Sequence, residues 1–289
     1  MFQGSFPALI TPFTESLEID FDAYGRLIDF QIENGTNGIV PCGCSGEAAT
    51  LSHDEQKSLI RFAVERVAGK VPVVAGTGSN NTAEAVGLTK YAKEVGCQGA
   101  LLITPYYNKP TPAGLVAHYT TVANEADIPV MLYNVPGRTG TKISPETIAE
   151  LSKVPNVVSV KEACGSVDQV SQILSRCDIN VMSGDDSLTL PMMVVGAKGV
   201  VSVAANVIPG IMSKLCAAAN AGDYDKAREL HYKMLPLASA LFLETNPMPV
   251  KAVLAKMGMI KNVLRLPLVP MTDESASRLD PFLKELGLI

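Results

Sequence analysis

Short apolar runs rich in β-branched residues alternate along most of this chain with longer stretches that carry apolar residues at helical spacing. The runs at Phe6–Thr11, Gly38–Gly43, Val71–Thr77, Ala100–Thr104, Pro129–Val135, Val157–Ala163, Ile179–Ser183 and Gly199–Ala204 are bounded by glycine or polar turns and read as buried strands. The stretches near 21–34, 53–68, 82–95, 112–125, 144–152, 166–176, 187–196 and 208–220 read as amphipathic helices. Ser52 with Glu55 three residues on has the form of a capping box. Ser144-Pro145 fits an N-cap followed by proline in the first turn. Eight strand–helix units argue for an α/β chain folded as a (β/α)8 barrel, the TIM barrel, over residues 1–222. A doubly wound open sheet is the alternative. Pro41 falls inside the second run, where it removes a ladder donor, and a local bulge is expected there. Beyond 222 the strand pattern stops. Asp223–Glu244, Met248–Gly258 and Asp273–Gly287 read as helices of a C-terminal appendage over 223–289, punctuated by Pro247, Pro249, Pro267 and Pro270.

One run holds an anomaly. Val157-Val158-Ser159-Val160-Lys161-Glu162-Ala163 places a lysine in a strand of valines. Side chains alternate along a strand, so Ser159, Lys161 and Ala163 are expected on one face and Val158 and Val160 on the other. If the valines pack under helices, the lysine points into the barrel. Burial disfavours the charged form and lowers the amine's pKa. Such an amine is a nucleophile that forms a Schiff base with a carbonyl substrate. The competing reading is a strand-end lysine that reaches solvent or pairs with Glu162.

Barrel active sites gather at the C-terminal ends of the strands. Those ends carry Cys44, Ser45 and Glu47; Gly76-Thr77-Gly78; Tyr106-Tyr107-Asn108; Tyr133-Asn134 followed by Pro136-Gly137-Arg138; Lys161; Gly184-Asp185-Asp186; and Asn206. A tyrosine relays protons when a hydrogen-bonded chain supports it. Glycine turns aim backbone N–H groups at a carboxylate. Arg138 has the geometry to grip a carboxylate bidentately. The set suggests a carbonyl substrate bearing a carboxylate, attacked by Lys161. Each piece also has a plainer reading: Tyr106 and Tyr107 as interface aromatics, the Gly76–Gly78 segment as a tight turn, Asp185 and Asp186 as helix caps, Arg138 as a surface arginine, and Cys42 and Cys44 as small core fillers.

Composition narrows the classes. The 289 residues are 47% hydrophobic and 18% charged with a formal net charge of −5, which suits a globular enzyme. There is no basic stripe for nucleic acid and no apolar run of membrane length. Met1-Phe2-Gln3-Gly4 has no basic n-region of a signal peptide. The six cysteines are scattered without a CxxC, which fits reduced thiols in a cytoplasm. His53, His118 and His231 lie outside the strand runs and form no ligand cluster, so neither a metal nor another cofactor is expected. A pyridoxal phosphate site is disfavoured because Asp185 and Asp186 would repel its phosphate.

At these residues the chain resembles the pyruvate-dependent class I aldolase family, that of N-acetylneuraminate lyase. The likeness runs from Phe2-Gln3-Gly4-Ser5 to the C-terminal helices. It is carried by Ala75-Gly76-Thr77-Gly78, Thr104-Pro105-Tyr106-Tyr107-Asn108, Tyr133 through Gly140, Val160-Lys161-Glu162-Ala163 and Ser183-Gly184-Asp185-Asp186. The arginine after Tyr133-Asn134-Val135-Pro136 separates the branch that condenses pyruvate with L-aspartate 4-semialdehyde from the sugar-acid lyases. The resemblance implies that Lys161 forms the Schiff base with pyruvate, that the enamine attacks the aldehyde and that the product cyclises. It implies proton transfer by Tyr133, relayed by Tyr107 from a neighbouring subunit of a homotetramer. It implies that Ser45 holds the pyruvate carboxylate, that Gly184 and Val201 line the pocket, and that Arg138 binds the aldehyde substrate's carboxylate. Ala49, His53, Asn80, Glu84 and Tyr106 fit the pattern of an inhibitory L-lysine site, although Gln56 stands where some lysine-sensitive members have histidine. The departure is Cys44, where the family usually has a threonine linking the two tyrosines. A thiol is a weak hydrogen-bonding group, so reduced but real turnover is expected. Two other readings stay open: a sister aldolase for another 2-keto acid, and a weakly catalytic paralogue that binds pyruvate or lysine.

Overall fold

The computed structural model describes residues 2–289. Met1, where the barrel begins as read from the sequence, lies outside the described residues. Seven parallel strands are present among them: β1 (Gly4–Pro7), β2 (Val74–Gly76), β3 (Gly99–Ile103), β4 (Val130–Asn134), β5 (Val157–Glu162), β6 (Asn180–Ser183) and β7 (Gly199–Ser202). They are ordered β1-β7-β6-β5-β4-β3-β2. The expected strand at Gly38–Gly43 shrinks to two isolated bridges, Val40 to Ala8 and Ile39 to Val73. These still join the two sheet edges: Val40 donates to Pro7 O at 3.1 Å and Val74 donates to Ile39 O at 2.9 Å. The sheet therefore closes into the expected barrel. Pro41 makes no bulge. It has no N–H to donate, and Cys42 turns away at φ +56°, so ladder pairing ends there.

The bulge lies in β5 instead. Val130 pairs with Val157 but Met131 pairs with Ser159, so Val158 is skipped. The expected alternation is corrected accordingly. Val158 packs with the barrel-interior cluster of Phe2, Phe6, Met131, Met182 and Val201, whereas Val160 packs outward with the helices. Lys161 keeps its inward direction because the extra residue lies before it.

The capping box at Ser52 and Glu55 is present in both directions, and Ser144 caps its helix ahead of Pro145. The expected helix near 187–196 forms as a single tight turn, Asp186–Leu188, and a short helix, Thr189–Val194. Past the last barrel helix, Pro209–Asn220, come Tyr224–Ala240 and Met248–Lys256. The helix expected over Asp273–Gly287 is broken into Asp273–Ser277 and Asp280–Glu285, with Pro281 at the start of the second. Among the described residues no helix is long and apolar enough to cross a membrane. The C-terminal region is locked to the barrel from inside. Lys251 is fully buried and donates to Glu47 Oε1 at 2.6 Å and to Thr11 O at 2.9 Å.

Candidate active site

β5 delivers Lys161 to the C-terminal end of the barrel with only 5% of its surface exposed. Its Nζ lies 4.2 Å from the centroid of the Tyr133 ring, which β4 places alongside through the Tyr133–Lys161 register. Among the described residues it forms no ion pair. Burial draws the amine down from 10.5 to about 8, while Cys44 and Asp186 nearby pull the other way. Glu162, the alternative partner, faces away. Its carboxylate accepts from both Asn134 Nδ2 (2.9 Å) and Gln169 Nε2 (3.1 Å) and from the Cys164 backbone N–H. Burial pushes that carboxyl up, and these donors oppose it.

A cavity of about 310 Å³ opens over the lysine, lined among others by Cys44, Ser45, Tyr133, Arg138, Gly184 and Asp186. Burial first, and the Cys44 thiol beside it second, hold the Tyr133 hydroxyl protonated well above the usual range. Gly184 is there for space. A Cβ at this position would sit 2.6 Å from the Ala163 Cβ and 2.9 Å from Lys161 Cε. Gly76 reflects the same need, since a Cβ there would lie 2.2 Å from Cys42 O. Gly76-Thr77-Gly78 thus serves close backbone packing.

The loop carrying Cys44 and Ser45 is pinned on both sides. Thr11 Oγ1 donates to Gly46 O at 2.7 Å, and Glu47, in the left-handed region at φ +54°, meets Lys251. Ser45 Oγ accepts from Asn246 Nδ2 at 2.9 Å. Arg138 sits exposed on the short helix Pro136–Thr139 and donates to Asn246 O at 3.1 Å.

Not every expected residue joins this cluster. Val201 is packed in the barrel interior, and Val203, further along, forms the cavity wall. Tyr107 is 90% exposed, at φ +71°, and points out of the chain. Ala49, His53, Glu84 and Tyr106 line a second cavity of about 450 Å³, which shares Cys44, Tyr133, Arg138 and Asn246 with the first. His53 Nε2 stands 3.9 Å from Glu84 Oε2, and Asn80 Nδ2 donates to Tyr106 O at 3.2 Å. Asp186 does not cap the helix that follows it; its Oδ2 accepts from the backbone N–H groups of Val203 and Ala204, bracing the turn after β7, and it also walls the cavity. Sequence reasoning missed Asn246 altogether. Its contacts with Ser45 and Arg138 reach back 201 and 108 residues, and the only local signal was a polar residue ahead of Pro247 at a break between helices.

A closed parallel barrel with an unpaired, buried amine at a strand end, a protonated tyrosine against it and a cavity above both defines a Schiff-base-forming aldolase of class I. Comparison with known proteins narrows this. Residues 1–286 match the dihydrodipicolinate synthetase family, and the chain belongs to that family. It is 54% identical to 4-hydroxy-tetrahydrodipicolinate synthase of Maridesulfovibrio salexigens, with 100% of this chain and 99% of the relative covered. Among solved structures it superposes on dihydrodipicolinate synthase from Aquifex aeolicus with a TM-score of 0.97 at 50% identity over 99% of both chains. The chloride-inhibited synthase from Acinetobacter baumannii complexed with pyruvate matches with a TM-score of 0.98 at 42% identity over 100% of both chains.

Proposed function

We propose that this chain condenses pyruvate with L-aspartate 4-semialdehyde to give 4-hydroxy-tetrahydrodipicolinate. The observation that carries the reading is the Lys161 amine, buried with no ion-pair partner among the described residues in a cavity lined by Arg138 and Ser45. Lys161 Nζ attacks the keto carbon, and the carbinolamine loses water to leave an imine. Loss of a methyl proton gives the enamine, whose carbon bonds to the aldehyde carbon while the new alkoxide takes up a proton. The substrate's own amino group then attacks the imine carbon and displaces Lys161, closing the ring. One water is released overall. Tyr133, protonated and in contact with the lysine, is the proton carrier. Ser45 is assigned to the pyruvate carboxylate, and Arg138, as the exposed cation at the rim, to the carboxylate of the aldehyde.

Tyr107 acts only if a second copy brings it to Cys44 and Tyr133. Its exposure and strained φ support the expected homotetramer, because such backbone strain costs about 1–3 kcal/mol and gathers at functional sites. The second cavity, with its carboxylate and hydroxyl-bearing walls, is the proposed site for L-lysine as inhibitor. The six unpaired cysteines support the reducing cytoplasm expected from the sequence. Purified protein given both substrates, with product consumed by a coupled reductase, should turn over. Borohydride with pyruvate should trap one three-carbon adduct on Lys161. Trapping without turnover would leave a sister aldolase or a weakly catalytic paralogue that binds pyruvate.

A further inference from the structure

Asn246 lies between the two groups assigned to the two substrate carboxylates. It is 4% exposed and borders both cavities. Its side chain donates to Ser45 Oγ, and its backbone carbonyl accepts from Arg138. Its own Oδ1 is buried without a partner. The amide orientation follows from this environment. As it stands the amide leaves its oxygen and one N–H without a partner; turned over, it would leave both N–H donors orphaned, and an orphaned buried N–H is the rarer of the two. The direction of the Ser45 bond has a chemical consequence. A serine hydroxyl has one proton and two lone pairs. With a lone pair engaged by Asn246, the proton is free to point into the cavity.

We infer that Asn246 is a positioning residue that orients the Ser45 hydroxyl as a donor toward the carboxylate of the 2-keto acid, and that this side-chain contact is separable from the backbone contact that steadies Arg138. The inference rests on the proposed condensation. It makes the C-terminal region, through one amide, part of the recognition of the first substrate. A carboxylate at 246 would accept the Ser45 proton and turn the hydroxyl's lone pairs toward the bound keto acid. An apolar side chain of similar size would leave the hydroxyl unoriented. Neither alters the carbonyl that Arg138 uses.

The test is borohydride trapping on the intact protein across a range of pyruvate concentrations, read by mass, beside steady-state KM values for both substrates. Asn246→Leu should raise half-saturating pyruvate by about tenfold or more, the loss of one oriented hydrogen bond to a charged group. The plateau of trapped protein should stay that of the parent, and the KM for the aldehyde should move less than about twofold by the same reasoning. Asn246→Asp should raise half-saturating pyruvate further still. In a Ser45→Ala background Asn246→Leu should add nothing, because the hydroxyl it orients is gone. Asn246→Asp, nearly isosteric, keeps the test open should the leucine variant not fold. An unchanged pyruvate response in Asn246→Asp, or an equal loss from Asn246→Leu with and without Ser45, overturns the inference. Absence of trapping in the parent would instead refute the Schiff-base reading.

Discussion

The barrel buries two lysines, and they behave differently. Lys251 is fully enclosed, holds Glu47 at 2.6 Å and rests 4.4 Å from the centroid of the Phe13 ring. Lys161 is nearly as buried and rests on Tyr133 in a similar way, but it has a cavity where Lys251 has a carboxylate. Burial pulls both amines below the ordinary lysine value, and only at Lys251 does a hydrogen-bonded counter-ion work against it. An amine buried with its counter-ion is a strut. An amine buried beside empty space and without one is a nucleophile. Burial alone distinguishes neither.

The largest effect should come from exchanging each lysine for methionine. Lys161→Met should lower turnover on the order of a thousandfold or more, as loss of a covalent nucleophile does, and abolish borohydride trapping. Its denaturation midpoint should hold or rise, because a buried group without a partner is removed. Lys251→Met should do the reverse. It strands Glu47, at a cost of about 3–5 kcal/mol in urea unfolding, while folded molecules still trap pyruvate. Equal stability losses in the two variants would erase the distinction.

Next is the space that keeps Lys161 free. Gly184→Ala drives a methyl to within 2.9 Å of Lys161 Cε and 2.6 Å of Ala163 Cβ. Displacement of a reacting atom by about 1 Å costs on the order of a hundredfold, and the trapping rate should fall by that much. A variant that traps at the parent rate would show that the lysine stem is not confined.

Smaller is the pH signature. With its midpoint at about 8, the Lys161 amine should make the trapping rate climb about tenfold per unit below that pH and level off above it. An ordinary lysine would keep climbing to about pH 10. The sign for stability follows from the same shift. The folded value is depressed, so between about 8 and the unfolded value near 10.4 the unfolded chain binds more protons, and this group's contribution rises with pH across that window. A trapping profile still rising at pH 10 would mean that Lys161 is solvated and the contrast with Lys251 is lost.

Most of this architecture could be read from the residues because periodicity and turn chemistry are local. The capping box at Ser52, the strand runs and the conspicuous lysine at 161 all announce themselves within a few positions. What escaped was set by pairing between distant segments. The skipped Val158 is a register event with Met131, invisible in either strand by itself. The second run looked like a full strand, yet Pro41 and the turn at Cys42 cut it to two bridged residues. Val201 has the right residue type but lies one layer below the cavity that Val203 reaches. Tyr107 and Cys44 could be read off the strand ends, but their roles as proton relay came only from the family resemblance, and within one chain Tyr107 stands outside the cluster. Asn246 and Lys251 were unreadable, since the strut and the amide that support the Ser45 loop come from some two hundred residues away.

The smallest expected effect bears on what surrounds the free amine. Cys44 walls the cavity beside Tyr133 and is among the groups that raise both the Tyr133 hydroxyl and the Lys161 amine. A threonine hydroxyl there is the stronger hydrogen-bonding group, whereas a thiol donates and accepts weakly. Cys44→Thr should therefore speed proton passage through Tyr133, raising kcat by about threefold to tenfold, less than the hundredfold or more that a whole positioned acid–base group contributes. It should also remove one of the influences that hold the lysine up, so the trapping midpoint should move below about 8. Half-saturating pyruvate should stay put, because Ser45 and its Asn246 contact are untouched. Turnover and midpoint both equal to the parent's would mean that Cys44 lies outside the proton path, leaving Lys161 to be tuned by burial, Asp186 and Arg138 and Tyr133 by burial and Arg138.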